Sequence, residues 1–146
     1  MRLNVEHFAE RLLAGMSEAI IYADANGVIR YWNRGAARVF GFPASEALGQ
    51  PLDIIIPPGL RERHWQGYHA TMRTGQSRYG EGHLLSVPAI RNDGTRLSVE
   101  FTIVPFTDEA GHMTGIAAVL RDATRSFDEL RALRKELAAQ RSDRSA

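Results

Sequence analysis

With 146 residues, 18 basic side chains against 17 acidic ones and no cysteine, the chain has the size of one domain with short extensions and a formal charge of +1. That balance excludes binding to DNA or to an anionic membrane by bulk charge, so neither nucleic acid nor a membrane is expected as a direct partner. The missing cysteines exclude disulfides, thiolate metal sites, a cysteine nucleophile and cysteinyl flavin adducts.

In chain order, Val5, Phe8, Leu12, Leu13 and Met16 recur at helical spacing and predict an amphipathic helix over residues 1–16. Ala19 to Ala23 and Val28 to Trp32 are two β-rich runs around Asp24-Ala-Asn-Gly27, where the Asn-Gly pair is suited to the positive φ values of a tight hairpin turn. Asn33 is placed to cap a short helix from Arg34 to Phe40 that stops at Gly41, and Pro43 to Gly49 reads as a second helical turn capped by Ser45. Leu52 to Ile56 is an apolar connector. Pro57-Pro58 then leads into a longer helix, about Leu60 to Met72, closed by Gly75.

Gly82 to Arg91 is strand-like, with Pro88 marking an edge, a bulge or a break. After the Asn92-Asp93-Gly94 turn, Leu97, Val99, Phe101 and Ile103 alternate with Ser98, Glu100 and Thr102 in a period of two. A further turn at Asp108 to Gly111 precedes a last strand from Met113 to Leu120. Ser126 to about Gln140 is again helical, with Leu130, Leu133 and Leu137 at a, d and a spacing. Two strands, three helices and three strands with hairpin-length joins predict an α+β fold: a five-stranded antiparallel sheet with the helices segregated to one face. The expected division is 1–16 as N-terminal helix, 17–124 as the folded domain and 125–146 as C-terminal helix and tail.

The ordered motifs Gly27 to Asn33, Ala36 to Gly41, Glu46 to Gly49, Arg91 to Thr95 and Gly115 to Thr124 resemble those of a PAS domain over roughly residues 10–125. The resemblance implies a small sheet with a helical flap around a pocket, used to sense a ligand, redox state or light and to pass the result through flanking helices. It also implies an ion pair from Glu46 to Arg91 or Arg96, worth roughly 0–1 kcal/mol at a half-exposed site.

The segment Ile54 to His64, followed by Thr74-Gly75, is similar to the helix that supplies the proximal histidine in oxygen-sensing haem PAS domains of the FixL type. His64 falls on the ligand position, so it is the candidate axial ligand of haem b. Gly80-Glu-Gly82-His83 resembles the stretch that carries a distal arginine in that family, which makes His83 the corresponding residue. Where the family has a tyrosine and an arginine near the propionates this chain has Gly67 and Ala70, with Tyr68, His69 and Arg73 as substitutes. Tyr68 and Trp32 complete the candidate pocket, with Trp32 reading also as a core or pocket-edge residue on its strand. Non-covalent FAD, which needs a wide pocket with aromatic walls such as Trp32 and Trp65, ranks behind haem. An unidentified small ligand or none completes the set.

No His-Glu-x-x-His, Gly-x-Ser-x-Gly or dinucleotide-loop spacing occurs, so the chain reads as a non-enzyme. With no signal-peptide core and no apolar run near about 18 residues, a cytoplasmic location is expected. The apolar stripes of the terminal helices predict a homodimer, with output from a partner or domain such as a histidine kinase, a cyclase or a regulator. A ligand-free dimerisation and protein-interaction module is the alternative to ligand sensing.

Overall fold

The computed structural model describes residues 2–76 and 84–145. Helix α1 (Val5–Gly15) leads into β1 (Ala19–Asp24) and β2 (Ile29–Trp32), and then α2 (Arg34–Phe40) and α3 (Ala44–Ala47) follow. Two 3-10 turns, Leu52–Ile55 and Pro58–Leu60, precede α4 (Arg61–Thr74). The strands β3 (Leu85–Ile90), β4 (Arg96–Thr107) and β5 (Met113–Asp122) complete the sheet, and α5 (Thr124–Ser145) leaves it. The sheet is antiparallel throughout in the order β2-β1-β5-β4-β3, so the α+β reading holds.

Pairing sorts the strands into two faces. Ile21 lies opposite Ala118, and Ala118 lies opposite Ile103, which places these residues on the face that meets the core. The core joins Ile21, Ile29, Trp32, Leu97, Val99 and Leu120 to Ala36 and Phe40 of α2 and Ala47 of α3. On the opposite face Tyr22 and Val104 flank Ala117, and Phe106 packs edge-to-face on Tyr22 with ring centres 5.3 Å apart. Val104 and Phe106 stay exposed there.

Asn33 ties the first third of the chain together. Its Oδ1 accepts from the backbone N–H of Ala36, capping α2, and from that of Ile20 in β1, at 2.9 and 2.8 Å. Its Nδ2 donates to the carbonyls of Leu13 and Glu18, so one buried amide satisfies two donors and two acceptors. Gly35 next to it has no room for a side chain: a Cβ there would lie 2.0 Å from the Glu18 carbonyl oxygen.

Three local expectations change. The β1–β2 turn places only Gly27 at positive φ, +76°, because the Asp24 carboxylate accepts from the N–H groups of Asn26 and Val28 and bends the chain itself. Helix α3 follows Pro43, and Ser45 lies inside it without capping it. Arg91 pairs with Asp122 at 2.8 Å, while Glu46 is exposed and makes no ion pair with a described residue. Of the strand expected from Gly82 to Arg91, residues 82 and 83 lie outside the described residues and Leu85–Ile90 is strand.

Candidate ligand-binding site

Helix α4 begins after Pro57-Pro58 and ends at Gly75, whose φ of +72° turns the chain out of the helix. Its inward side groups His64, Trp65 and Tyr68, at the i, i+1, i+4 spacing that brings side chains to one helical side. Two of these clamp the helix. The Tyr68 hydroxyl donates to the Asp24 carbonyl at 2.5 Å, with the Ala23 carbonyl 3.3 Å away, and its burial raises the phenol's pKa further above its ordinary value. The Trp65 indole donates to the Asp53 carboxylate at 2.6 Å and lies over Gly27, where an added Cβ would come within 2.2 Å of the ring. The β1–β2 turn therefore needs glycine twice, for its φ and for the tryptophan above it.

Between these clamps sits His64, its ring 5.0 Å from that of Trp65 and 5.8 Å from that of Tyr68. Nδ1 of His64 is shut off from solvent and has no hydrogen-bond partner among the described residues. Burial lowers the imidazole's pKa; the Asp53 carboxylate pulls it up, and His69 pushes it down again. The neutral ring is favoured. A neutral imidazole has one nitrogen free to bind iron or to accept a hydrogen bond, and for Nδ1 to do either the groups that shield it must first move aside. No group of three or more His, Asp and Glu among the described residues could hold a bare metal ion.

This neutral state has a consequence for pH. A histidine whose folded pKa lies below its unfolded value near 6.5 binds more protons in the unfolded chain, so its contribution to stability is complete above that value. As pH falls below about 6.5 that contribution is lost. Urea unfolding between pH 7.5 and 5.5 is expected to show a decline that His64→Gln reduces.

The other expected residues are dispersed. Tyr68 joins His64, but Trp32 is a core residue: 5% exposed, its indole donates to the Phe42 carbonyl and its ring packs on Phe40 and Phe42. His83 lies outside the described residues. His69 stacks on Trp65 from the exposed side, and Arg73 is exposed in the last turn of α4. Asp53, which anchors the tryptophan, was hidden inside an apolar connector; its one signal was that a half-buried indole N–H needs an acceptor.

The sequence model of the PAS fold matches residues 8–123, well over half of the chain. The chain belongs to the PAS family. An uncharacterized protein of Azorhizobium caulinodans is 31% identical over 133 residues, which make up 90% of this chain and 18% of that protein. The sensor protein FixL of Bradyrhizobium diazoefficiens is 28% identical over 127 residues, 86% of this chain and 25% of FixL. The chain thus spans a quarter or less of these relatives. The fold resembles the crystal structure of a PAS domain from Colwellia psychrerythraea, with a TM-score of 0.73 and 22% identity over 84% of this chain and 99% of that one.

Domains of this family are sensory modules typical of signalling proteins, and in this PAS domain the junction between sheet and last helix is tightly built. Thr124 Oγ1 and N–H both donate to Asp122 Oδ1, and the Ser98 N–H donates to Thr124 Oγ1. Arg91 joins Asp122 to the end of α2, donating through Nε to the Val39 carbonyl. Burial raises the Asp122 pKa, but the Thr124 hydrogen bonds and the Arg91 guanidinium outweigh it and hold the carboxyl below its usual range. The first turn of α5 is thereby fixed to β4 and β5 of the PAS sheet, with Arg91, just beyond β3, holding the same carboxylate. No helix among the described residues is long and apolar enough to cross a membrane.

Proposed function

We propose that this PAS domain is a ligand sensor whose ligand sits against the inner side of α4, and that occupancy is relayed through α5 to an output partner or domain such as a histidine kinase, a cyclase or a regulator. The observation that carries the reading is the shielded Nδ1 of His64, which has no partner among the described residues. Burying such a nitrogen without a partner costs free energy, roughly 1–3 kcal/mol, that a ligand at this position recovers. The preferred ligand is haem b: His64 would bind the iron, Tyr68, His69 and Arg73 would stand in for the propionate partners, and His83 would take the part of the distal arginine. Bound haem supplies an iron position for a diatomic gas and a redox couple. Likeness to a protein named as a sensor favours a sensing role. FAD ranks second.

Signal relay requires that the ligand bind one arrangement of α4 better than another. The Tyr68 and Trp65 clamps give α4 a defined closed position. A second reading, a ligand-free dimerisation and docking module, rests on the exposed Val5, Phe8 and Leu12 of α1 and on Val104 and Phe106 of the sheet. The two separate by absorption. After haem reconstitution the protein is expected to show a Soret band distinct from that of free haem, and His64→Ala is expected to lose it or shift it. Protein that takes up no haem, or a spectrum unchanged by His64→Ala, contradicts the haem assignment.

A further inference from the structure

Of the two described aromatic rings on the inner side of α4 that lie against His64, Trp65 has a way out and Tyr68 has none. Tyr68 is 7% exposed, and its hydroxyl is committed to backbone carbonyls of β1. Trp65 is half-buried, and a side-chain hydrogen bond from its indole N–H to the Asp53 carboxylate, 2.6 Å long, fixes its polar edge. The far edge of the same indole rests on Gly27. Both contact points belong to one seat. The N–H of Leu52, next to Asp53, donates to the Gly27 carbonyl, and Val28 pairs with Pro51, so the first 3-10 turn is tied to the β1–β2 turn whether or not the indole is in place. On the solvent side the indole meets His69, itself exposed, with ring centres 5.7 Å apart.

We propose that Trp65 is a gate over His64 and that Asp53 is the positioning residue that holds it shut, so that haem reaches the imidazole while the indole is off its seat. This rests on the haem reading of His64 and adds the pair of residues that regulates access to it. Nδ1 of His64 is covered while the indole is seated, so binding there requires an open arrangement. A hydrogen bond to a carboxylate is among the stronger kinds, which keeps the open arrangement a minor one.

Where the binding-competent state is a small fraction of the whole, apparent affinity scales with that fraction. Loss of the Asp53 bond therefore raises the association rate and the apparent affinity by the same factor. Dissociation keeps its rate, because the indole is already off its seat in the bound form. A residue that merely supported the fold would not produce this split. Asp53 also acts on His64 through its charge, and Asp53→Asn separates the two effects: the amide oxygen still accepts from the indole, while the charge is gone.

The test takes two readouts on the whole chain. Acrylamide quenching of tryptophan fluorescence reports the gate with no ligand present, since Trp32 is 5% exposed and Trp65 carries the accessible signal. Stopped-flow uptake of haem reports access to the site. Asp53→Ala is expected to raise quenching and to speed haem association roughly tenfold, with dissociation unchanged. Gly27→Ala, which puts a Cβ within 2.2 Å of the ring from the other end of the seat, is expected to act in the same direction. Asp53→Asn is expected to stay close to the wild type in both readouts. Trp65→Phe is expected to match Asp53→Ala in association, and the double variant to exceed neither, because each removes the same bond. Circular dichroism establishes that each variant is folded. Unchanged quenching in Asp53→Ala, or haem association no faster than in the wild type, overturns the gate. An Asp53→Asn protein as open as Asp53→Ala assigns the effect to charge and overturns it too. A chain that takes up no haem in any variant overturns the haem reading of His64, and quenching alone then decides the gate.

Discussion

Replacing Asn33 by Leu is expected to destabilise the chain by roughly 2–6 kcal/mol, because two N–H donors lose their acceptor at about 1–3 kcal/mol each. The donors belong to Ile20 in β1 and Ala36 at the start of α2, and the side chain that receives them is 5% exposed. Neither gains water in exchange. Leu also removes the two bonds to Leu13 and Glu18, which hold the end of α1 beside α2. Asn33→Asp separates these contributions, since a carboxylate keeps the two acceptor roles and loses the two donor ones. Urea denaturation is expected to rank the wild type above Asn33→Asp, and Asn33→Asp above Asn33→Leu. An Asn33→Leu protein as stable as the wild type would remove Asn33 from its central place in the fold.

Phe40→Ala is expected to cost about 3–5 kcal/mol, the range for deleting a fully buried aromatic side chain. Phe40 is 0% exposed and its ring lies 5.7 Å from that of Trp32. The cavity would open beside an indole, so Trp32 fluorescence reports the loss directly. Because Trp65 is the other tryptophan and sits on α4, Trp65→Phe in the same background assigns the signal. A loss below about 1 kcal/mol would mean that the core collapses onto the vacancy, which close packing opposes.

The alternation of Leu97, Val99, Phe101 and Ile103 and the glycines at 41 and 75 made much of the fold readable. They act within one element, where side-chain period and backbone φ are fixed by neighbours in sequence. Partner choice across the fold was less legible. Nothing in the local sequence favours Asp122 over Glu46 for Arg91; the sheet order decides it, because β5 enters between β1 and β4 and its end comes close to that of β3. The Asn-Gly turn differed for a similar reason, since Asp24 supplied two hydrogen bonds that a turn signal based on φ does not contain.

At the candidate site, His64 could be singled out by its place on a pocket helix, and Tyr68 lay one turn beyond it. The clamp could not be foreseen as a unit. It requires Asp53 to meet Trp65 across 12 positions of sequence and Gly27 to lie under the same indole, contacts that exist only after the helix has docked. Trp32 shows the converse. Its size and strand position suited either a pocket wall or the core, and Phe40 and Phe42 enclose it from sequence-near positions while the Phe42 carbonyl accepts its indole N–H.

The central claim is that a ligand held at His64 acts on α4 and, through the sheet, on α5. Hydrogen exchange of the whole chain, with and without reconstituted haem, tests it most directly. The account predicts that protection changes together in residues 61–74 and in the first turns of α5, residues 124–130. A change confined to 61–74, or none in either segment, would contradict it.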